Sequence, residues 1–581
     1  MSTITLPFSP AHEITSADNL KETDLYKKLP DEFRKAVDEY PHLLEYLHIF
    51  PIEEKGMPEY YPELTRKLGD IKHPNLIYPT AKKGIFVHVL DNPQDYRNSY
   101  IPIEPTLVTN VDDLVAEVEN RLLELRSHLP VVDENTTRED EMIQYLEKVT
   151  TIDDEKPQTG LLNILKTYFF NDGSNVKKLK VTKRQLEAIK YLFLREKVGL
   201  GDIDVLITDP HIEDISCSGT GQVFVEHKVF KGIKSAVTFT SSIELDNFVM
   251  WLSEQIRKPV TYKNPICDAT LPDGSRINIV YGRDISKRGS NFTIRKFAGT
   301  PTSIFELVDF KSITYQMLAY LSLVIGHGNS LFVSGETASG KTTLLNALTT
   351  FIHPLAKIVT IEDTPELQVP HPNWVREVVQ TTKAEDANGA VTMFDLLKAA
   401  LRQRPDEIIV GEIRGVEGNV AFQAMQTGHS VMATFHAASV EKLIQRITGD
   451  PILVPKSYID NLKVVVLTSM VKLPTGKTGR RITSINEIVG YDPVYDSFTF
   501  VEAFHWDEST DTFAFTGYMT SYILENVIAP KMGIPSRKKQ RIYAEIERRT
   551  KILEKLHLEE KITNFYEVLE VLAKAQKEGY F

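Results

Sequence analysis

Residues 331–343 read LFVSGETASGKTT, and this segment constrains the chain more than any other. Gly335, Gly340, Lys341 and Thr342 meet the pattern G-x-x-x-x-G-K-T. An apolar strand, Leu331 to Val333, enters the segment and a helical run, TTLLNALTTFI, leaves it. That context is what the pattern needs. Glycines let the backbone curl until successive N–H groups face phosphate oxygens, and the following helix adds its positive end. Glu336, Thr337, Ala338, Ser339 and Thr343 complete the expected cradle. Lys341 supplies a point charge to terminal phosphates, and Thr342 a hydroxyl for a magnesium ion.

Phosphate binding alone is not hydrolysis; a carboxylate must also orient or deprotonate water. Two later strands end in acids. AKIVTIEDTPEL ends at Glu362 and Asp363, and RPDEIIVGEIRG at Glu412. In an open parallel sheet the carboxyl edge is where ligands bind, so both strands aim acids at the nucleotide. The Glu412 strand is Walker-B-like, with Gly411 where the preceding acid is usual, so Glu412 alone must serve. Asp406 and Glu407 read as a capping turn at the strand entrance. TGHSVMATFHAAS holds His429 and His436 near opposite ends of one strand. Their spacing is not that of a helical metal pair. From spacing alone, structural hydrogen bonding is the default for both.

Strands and helices alternate from 301 to 515, as a parallel sheet with crossover helices requires. Residues 175–300 differ: IEDISCSG, QVFVEHKVF, LPDGSRINIV and FTIRKF read as short strands around the helical SSIELDNFVMWLSEQIRK, an α+β module. Residues 1–165 form a mostly helical leader (DEFRKAVDEYPHLLEYLHIF, VDDLVAEVENRLLELRSHL) with a strand-like GIFVHVLD. VVDENTTREDE and TTIDDEKPQTG read as a solvated connection to the next module. In the helical tail, 516–581, Ile542, Ile546, Leu553 and Leu556 recur at helical spacing and are expected on the chain's own core. The fold class is therefore α/β: a RecA-like P-loop core behind an α+β domain and a helical leader.

Composition narrows the function. The formal charge of −12 argues mildly against nucleic acid as the main partner. Cys217 and Cys267, the two cysteines, support neither a disulfide framework nor a thiolate zinc site and read as buried thiols. No basic flank precedes an apolar stretch at the start, and no run approaches the roughly 18 residues of a membrane span. A soluble, cytoplasmic chain is expected.

With these segments together, the chain resembles the type II/type IV secretion ATPase superfamily. GETASGKTTLLNAL is similar to its Walker A segment, IVTIEDTPEL to its Asp box, LRQRPDEIIVGEIRG to its Walker B and AMQTGHSVMATFHA to its His box. Upstream, IEDISCSG, DATLPDGSRINIV and NFTIRKF resemble its N-terminal nucleotide-facing domain, so the likeness spans 175–515. It is nearest to the archaeal branch that builds type IV-pilus-like filaments, through IEDTPELQVPHPNWV, GDPILVPKSYIDNL and FHWDESTDTF. The resemblance implies a magnesium-dependent ATPase, a homo-hexamer with nucleotide between two domains. It implies work on a polytopic platform protein at the inner face of the cell membrane. It assigns γ-phosphate contact to His436 first and His429 second, and arginines to Arg276, Arg295 and, less directly, Arg283. The rival reading is a nucleic-acid motor on the same core, whose basic, aromatic channel this acidic chain does not display. A scaffold that binds ATP without turnover is a second rival. Whether the assembly is pilus, archaellum or secretion machine, and whether it extends or retracts, is not written in these motifs.

Overall fold

Alternating burial is what a sheet with one wet face requires. Arg276–Val280 and Ile266–Thr270 show it, with every second side chain buried. The computed structural model describes residues 3–13, 17–93, 95–125, 137–152, 178–297, 299–379 and 391–581. Cα packing divides them into two units, Met1–Phe297 and Ala298–Phe581.

The first unit is built on an 11-stranded sheet. In chain order its strands are Thr3–Ile4 (β1), Glu59–Tyr60 (β2), Asn75–Pro79 (β3), Phe86–Leu90 (β4) and Ser99–Ile103 (β5). Thr150–Ile152 (β6) and Leu179–Val181 (β7) pair separately. The sheet resumes with Ile212–Cys217 (β8), Gly221–His227 (β9), Lys231–Phe239 (β10), Ile266–Thr270 (β11), Arg276–Val280 (β12) and Asn291–Arg295 (β13). The order is β11-β12-β13-β8-β9-β10-β5-β4-β3-β2, with β1 on β10.

The described part of the leader thus continues the sheet of the module that follows, through β5 parallel to β10 at Ser99↔Lys234 and Tyr100↔Ser235. Polar ties reinforce the join. The hydroxyls of Tyr78 and Tyr100 donate to Asp209 Oδ2 at 2.6 and 2.8 Å. Arg195 donates to Glu104 at 3.1 Å and Arg184 to Glu45 at 2.8 Å. Removing one member of such a pair strands a buried partner, so these ties bind the two stretches closely.

The expected boundary between 165 and 175 lies outside the described residues, as do 131–136 and 153–160 of the two acidic stretches. The other end of VVDENTTREDE is solvated but helical rather than a loose connection. Thr137 accepts from the backbone N–H of Asp140 and caps the helix Arg138–Val149. Its acids occupy the first turn, where the helix dipole favours them.

The second unit is a 9-stranded sheet. Its strands are Leu331–Gly335 (β14), Ile358–Glu362 (β15), Trp374–Val378 (β16), Glu407–Ile413 (β17), Ser430–Phe435 (β18), Val464–Lys472 (β19), Thr478–Asp492 (β20), Ser497–Asp507 (β21) and Thr512–Ala514 (β22). The order β16-β15-β17-β18-β14-β19 is parallel throughout, and β20 to β22 extend it antiparallel. Along β14 successive residues serve opposite cores. Leu331 and Val333 pack with the helices Tyr315–Gly326 and Ile542–Leu558, and Phe332 with those of 393–448. Both faces are covered, as all-parallel strands demand. Ile542, Ile546 and Leu553 are buried in the first core and Leu556 packs against it. The tail therefore docks on its own unit. Cys217 and Cys267 are buried free thiols. No described helix is long and apolar enough to cross a membrane.

Candidate nucleotide site

The loop after β14 sits at the carboxyl edge, between β18 and β19. Gly335 can carry no side chain, because a Cβ there would lie 2.1 Å from the Thr468 carbonyl of β19. Thr468 also braces the far side of the loop, its hydroxyl 3.0 Å from that of Ser339. Gly340, with φ of +92°, makes the left-handed step that starts the helix Lys341–Leu348. Lys341 Nζ donates to the carbonyls of Gly335 and Glu336 at 3.1 and 2.8 Å. Its ammonium therefore hangs over the loop, where burial, with Arg414 nearby, lowers its pKa. Thr342 is half-buried in the first helical turn, and Thr343 is exposed.

Glu412, near the end of β17, is the hub of a charged cluster. Arg414 Nη2 donates to its Oε2 at 2.6 Å, and His436 Nε2 lies 3.0 Å from its Oε1. Burial works to raise the Glu412 pKa, but Arg414, His436 and Lys341 outweigh it and hold the carboxyl below the ordinary range. Burial and the charge of Lys341 lower the His436 pKa, against the opposing pull of Glu412. Arg446 donates to the His436 carbonyl and lies 5.2 Å from the centre of the Phe435 ring. A cleft of about 530 Å³ opens here, lined by Gly335, Glu336, Thr337, His436, Lys442 and Arg446 among others.

Glu362, at the end of β15, is almost wholly buried. Its Oε1 accepts from the backbone N–H groups of Glu366 and Leu367, both at 2.8 Å, and Arg376 Nε is 3.6 Å from Oε2. Burial nevertheless pushes its pKa up to about 7. The neighbouring strand explains the missing Walker B acid. A Cβ at Gly411 would lie 3.1 Å from Glu362 Cγ, so a larger residue there would press against Glu362.

His429 is not brought to this edge. It precedes β18, whose 6 residues separate it from His436, and its Nδ1 is 3.1 Å from the Thr427 hydroxyl. A strand of that length spans about 20 Å. The assignment of His429 to the phosphate therefore gives way to a local structural contact. At the same remote end, Asp406 accepts from Lys357 N at 2.8 Å, a capping contact. Glu407 is buried, and burial raises its pKa to about 8.

In the first unit, Arg276 and Arg295 face each other across β12 and β13. Each is exposed and paired with an acid, Arg276 with Asp268 at 2.8 Å and Arg295 with Asp214 at 3.2 Å. Both line a hollow of about 840 Å³ on the sheet face. Arg283 is exposed just beyond β12 and has no ion pair with a described residue.

Sequence reading passed over Arg414, Arg446, Thr468 and Arg480. Arg414 stands in the quoted GEIRG, two residues past Glu412, and that proximity was the available signal. The other three arrive from elements whose spatial order the motifs do not encode.

The residues suit magnesium. Glu412 Oε1 is buried, and beyond the 3.0 Å approach of His436 Nε2 it accepts no well-aligned hydrogen bond among the described residues. No group of three His, Cys, Asp or Glu forms a cage among them. Magnesium on a polyphosphate needs only one or two protein oxygens, which Thr342 and Glu412 would give.

A parallel sheet with this loop beyond an inner strand, and acids at the ends of two neighbours, defines a RecA-like P-loop protein. The family described as "Type II/IV secretion system protein" matches residues 196–471. An uncharacterized protein of Methanocaldococcus jannaschii, MJ0900, is 40% identical over 549 residues, covering 94% of this chain and 97% of that one. The type IV secretion system protein PtlH of Bordetella pertussis is 36% identical over 208 residues, 32% of this chain and 61% of PtlH. The VirB11 ATPase from the Brucella suis type IV secretion system is similar at 26% identity, over 48% of this chain and 89% of that chain, with a TM-score of 0.25. The chain belongs to the type II/IV secretion ATPase superfamily.

Proposed function

We propose that the chain is an ATP-hydrolysing, magnesium-dependent motor that works as a homo-hexamer. It drives assembly of a type IV-pilus-like filament, an archaellum or a type II secretion machine. It acts from the cytoplasm, peripherally at the inner face of the membrane, on a polytopic platform protein. The observation that carries the reading is the cluster of Lys341, Glu412, Arg414 and His436 at the mouth of the P-loop. Family membership supports the class of work.

Lys341 would exchange its two carbonyl partners for phosphate oxygens when ATP binds, a stronger charge-assisted set. Thr342 and Glu412 would hold magnesium, which when bound neutralises charge on the terminal phosphates. Glu412, kept ionised, orients the attacking water. Glu362 has a pKa near the working pH and is suited to take up its proton. His436 contacts the γ-phosphate through a ring N–H. Arg276 and Arg295 exchange their carboxylate partners for the terminal phosphate during turnover.

Phosphate release from ATP tests the reading. Turnover that needs Lys341 is the expected result. Tight ATP binding without phosphate release would favour the scaffold, and strong stimulation by DNA the nucleic-acid motor.

A further inference from the structure

One residue of the P-loop has a conformation that its own side chain disfavours. Ala338 lies in the left-handed region with φ of +63°, where glycine sits freely and alanine does not. A phosphate cradle must present N–H groups to the anion and keep carbonyl oxygens turned away. A contact from outside the loop would offset the cost of holding residue 338 in that state.

The contact is Arg480 of β20, whose Nε donates to the Ala338 carbonyl at 3.0 Å. Its Cδ stands 3.3 Å from where a Cβ on Gly340 would be, so its stem lies along the loop. The Arg480 backbone is itself fixed. Its carbonyl accepts from Ser312 Oγ at 2.9 Å and Arg481 Nη1 at 3.0 Å. Arg481 is locked to Asp511 by two hydrogen bonds of 2.7 and 2.8 Å. The antiparallel extension of the sheet thus reaches back to the loop through one guanidinium. Arg480 lies beyond the family match at 196–471.

We propose that Arg480 is a positioning residue that holds the P-loop in its phosphate-binding form by fixing the Ala338 carbonyl. This rests on the ATP-binding reading above. Arg480 acts through the loop, so its loss affects nucleotide capture more than the chemical step. Glycine at 338 would adopt the same backbone without help, and Arg480 should then matter less.

A double-mutant cycle in the full chain tests this, using fluorescent ATP binding and steady-state turnover. Arg480→Ala should weaken binding about fivefold, the scale of one ordinary hydrogen bond. The loss should appear in KM rather than kcat. In an Ala338→Gly background the same change should cost less than about twofold. Arg480→Lys should recover part of the loss. Arg480 is exposed, so the variants are expected to fold. Equal penalties in both backgrounds would overturn the inference and leave ATP binding intact. A parent chain that binds no ATP would sink both readings together.

Discussion

Glu412 is the residue on which the proposed chemistry turns: Arg414, His436 and Lys341 together hold its carboxyl below the ordinary range. Glu412→Gln should keep ATP affinity and lower phosphate release by at least about a hundredfold, the usual scale for an acid–base or positioning group. Lys341→Ala should lose binding and turnover together. Unchanged turnover in Glu412→Gln would transfer the role to Glu362. The two acids can also be told apart by pH. A base must be deprotonated to work, and the Glu362 pKa is pushed up to about 7 while Glu412 lies below the ordinary range. If Glu362 takes the proton, kcat/KM rises with pH through about 7; a profile flat from pH 6 to 8 removes it from that step. Arg276→Ala and Arg295→Ala each break an exposed ion pair of little worth to stability. They should instead cut turnover, because a guanidinium on transition-state phosphate can be worth about a thousandfold. Near-parent turnover in both would leave them as surface pairs.

Element by element, the strand ends of the second unit divide into a working edge and a quiet one. β14, β15, β17 and β18 deliver the P-loop, Glu362, Glu412 and His436 at their carboxyl ends. Glu407 begins β17 at the other end, buried with no ion pair among the described residues, and burial, opposed only in part by Ser430, raises its pKa to about 8. A carboxyl whose pKa is higher folded than unfolded adds stability that is complete below about pH 4.5 and is lost as pH climbs through 8. Glu407→Gln removes that charging step. Its melting temperature should fall less than the parent's between pH 5 and 9, and parallel curves would contradict the burial of an uncompensated acid. Much of this unit was legible because strand, glycine loop, helix and acid lie in local order along the chain. Three features were not. Gly411 makes sense only once β15 lies beside β17 and Glu362 fills the space. Arg480 and Thr468 brace the loop from strands more than a hundred residues away. Of the leader's strands in the first unit, only GIFVHVLD was legible, and the rest of the leader read as mostly helical. The strands' pairing with β10 depends on non-local contacts such as Tyr100 to Asp209, which no periodicity records.

At the scale of the whole molecule, the described leader and the α+β module share one sheet and a set of buried polar ties. Deleting the leader should therefore expose the β10 edge and strip Arg195 and Arg184 of their partners Glu104 and Glu45, giving insoluble protein rather than a trimmed enzyme. A soluble, cooperatively melting fragment from residue 178 onward would show the leader to be dispensable. If the motor is the proposed hexamer, its sites would reach catalytic geometry only with neighbouring subunits in place, since a small misplacement of reacting groups is costly. Lipid and the cognate platform protein should raise turnover further, and DNA should change it little at moderate salt. The most direct measurement is phosphate release per protomer across a dilution series, with light scattering on the same samples. The account predicts specific activity that rises with concentration, saturates as hexamers form, and is absent in Lys341→Ala. No phosphate release at any concentration, or full turnover by a monomer, would contradict it.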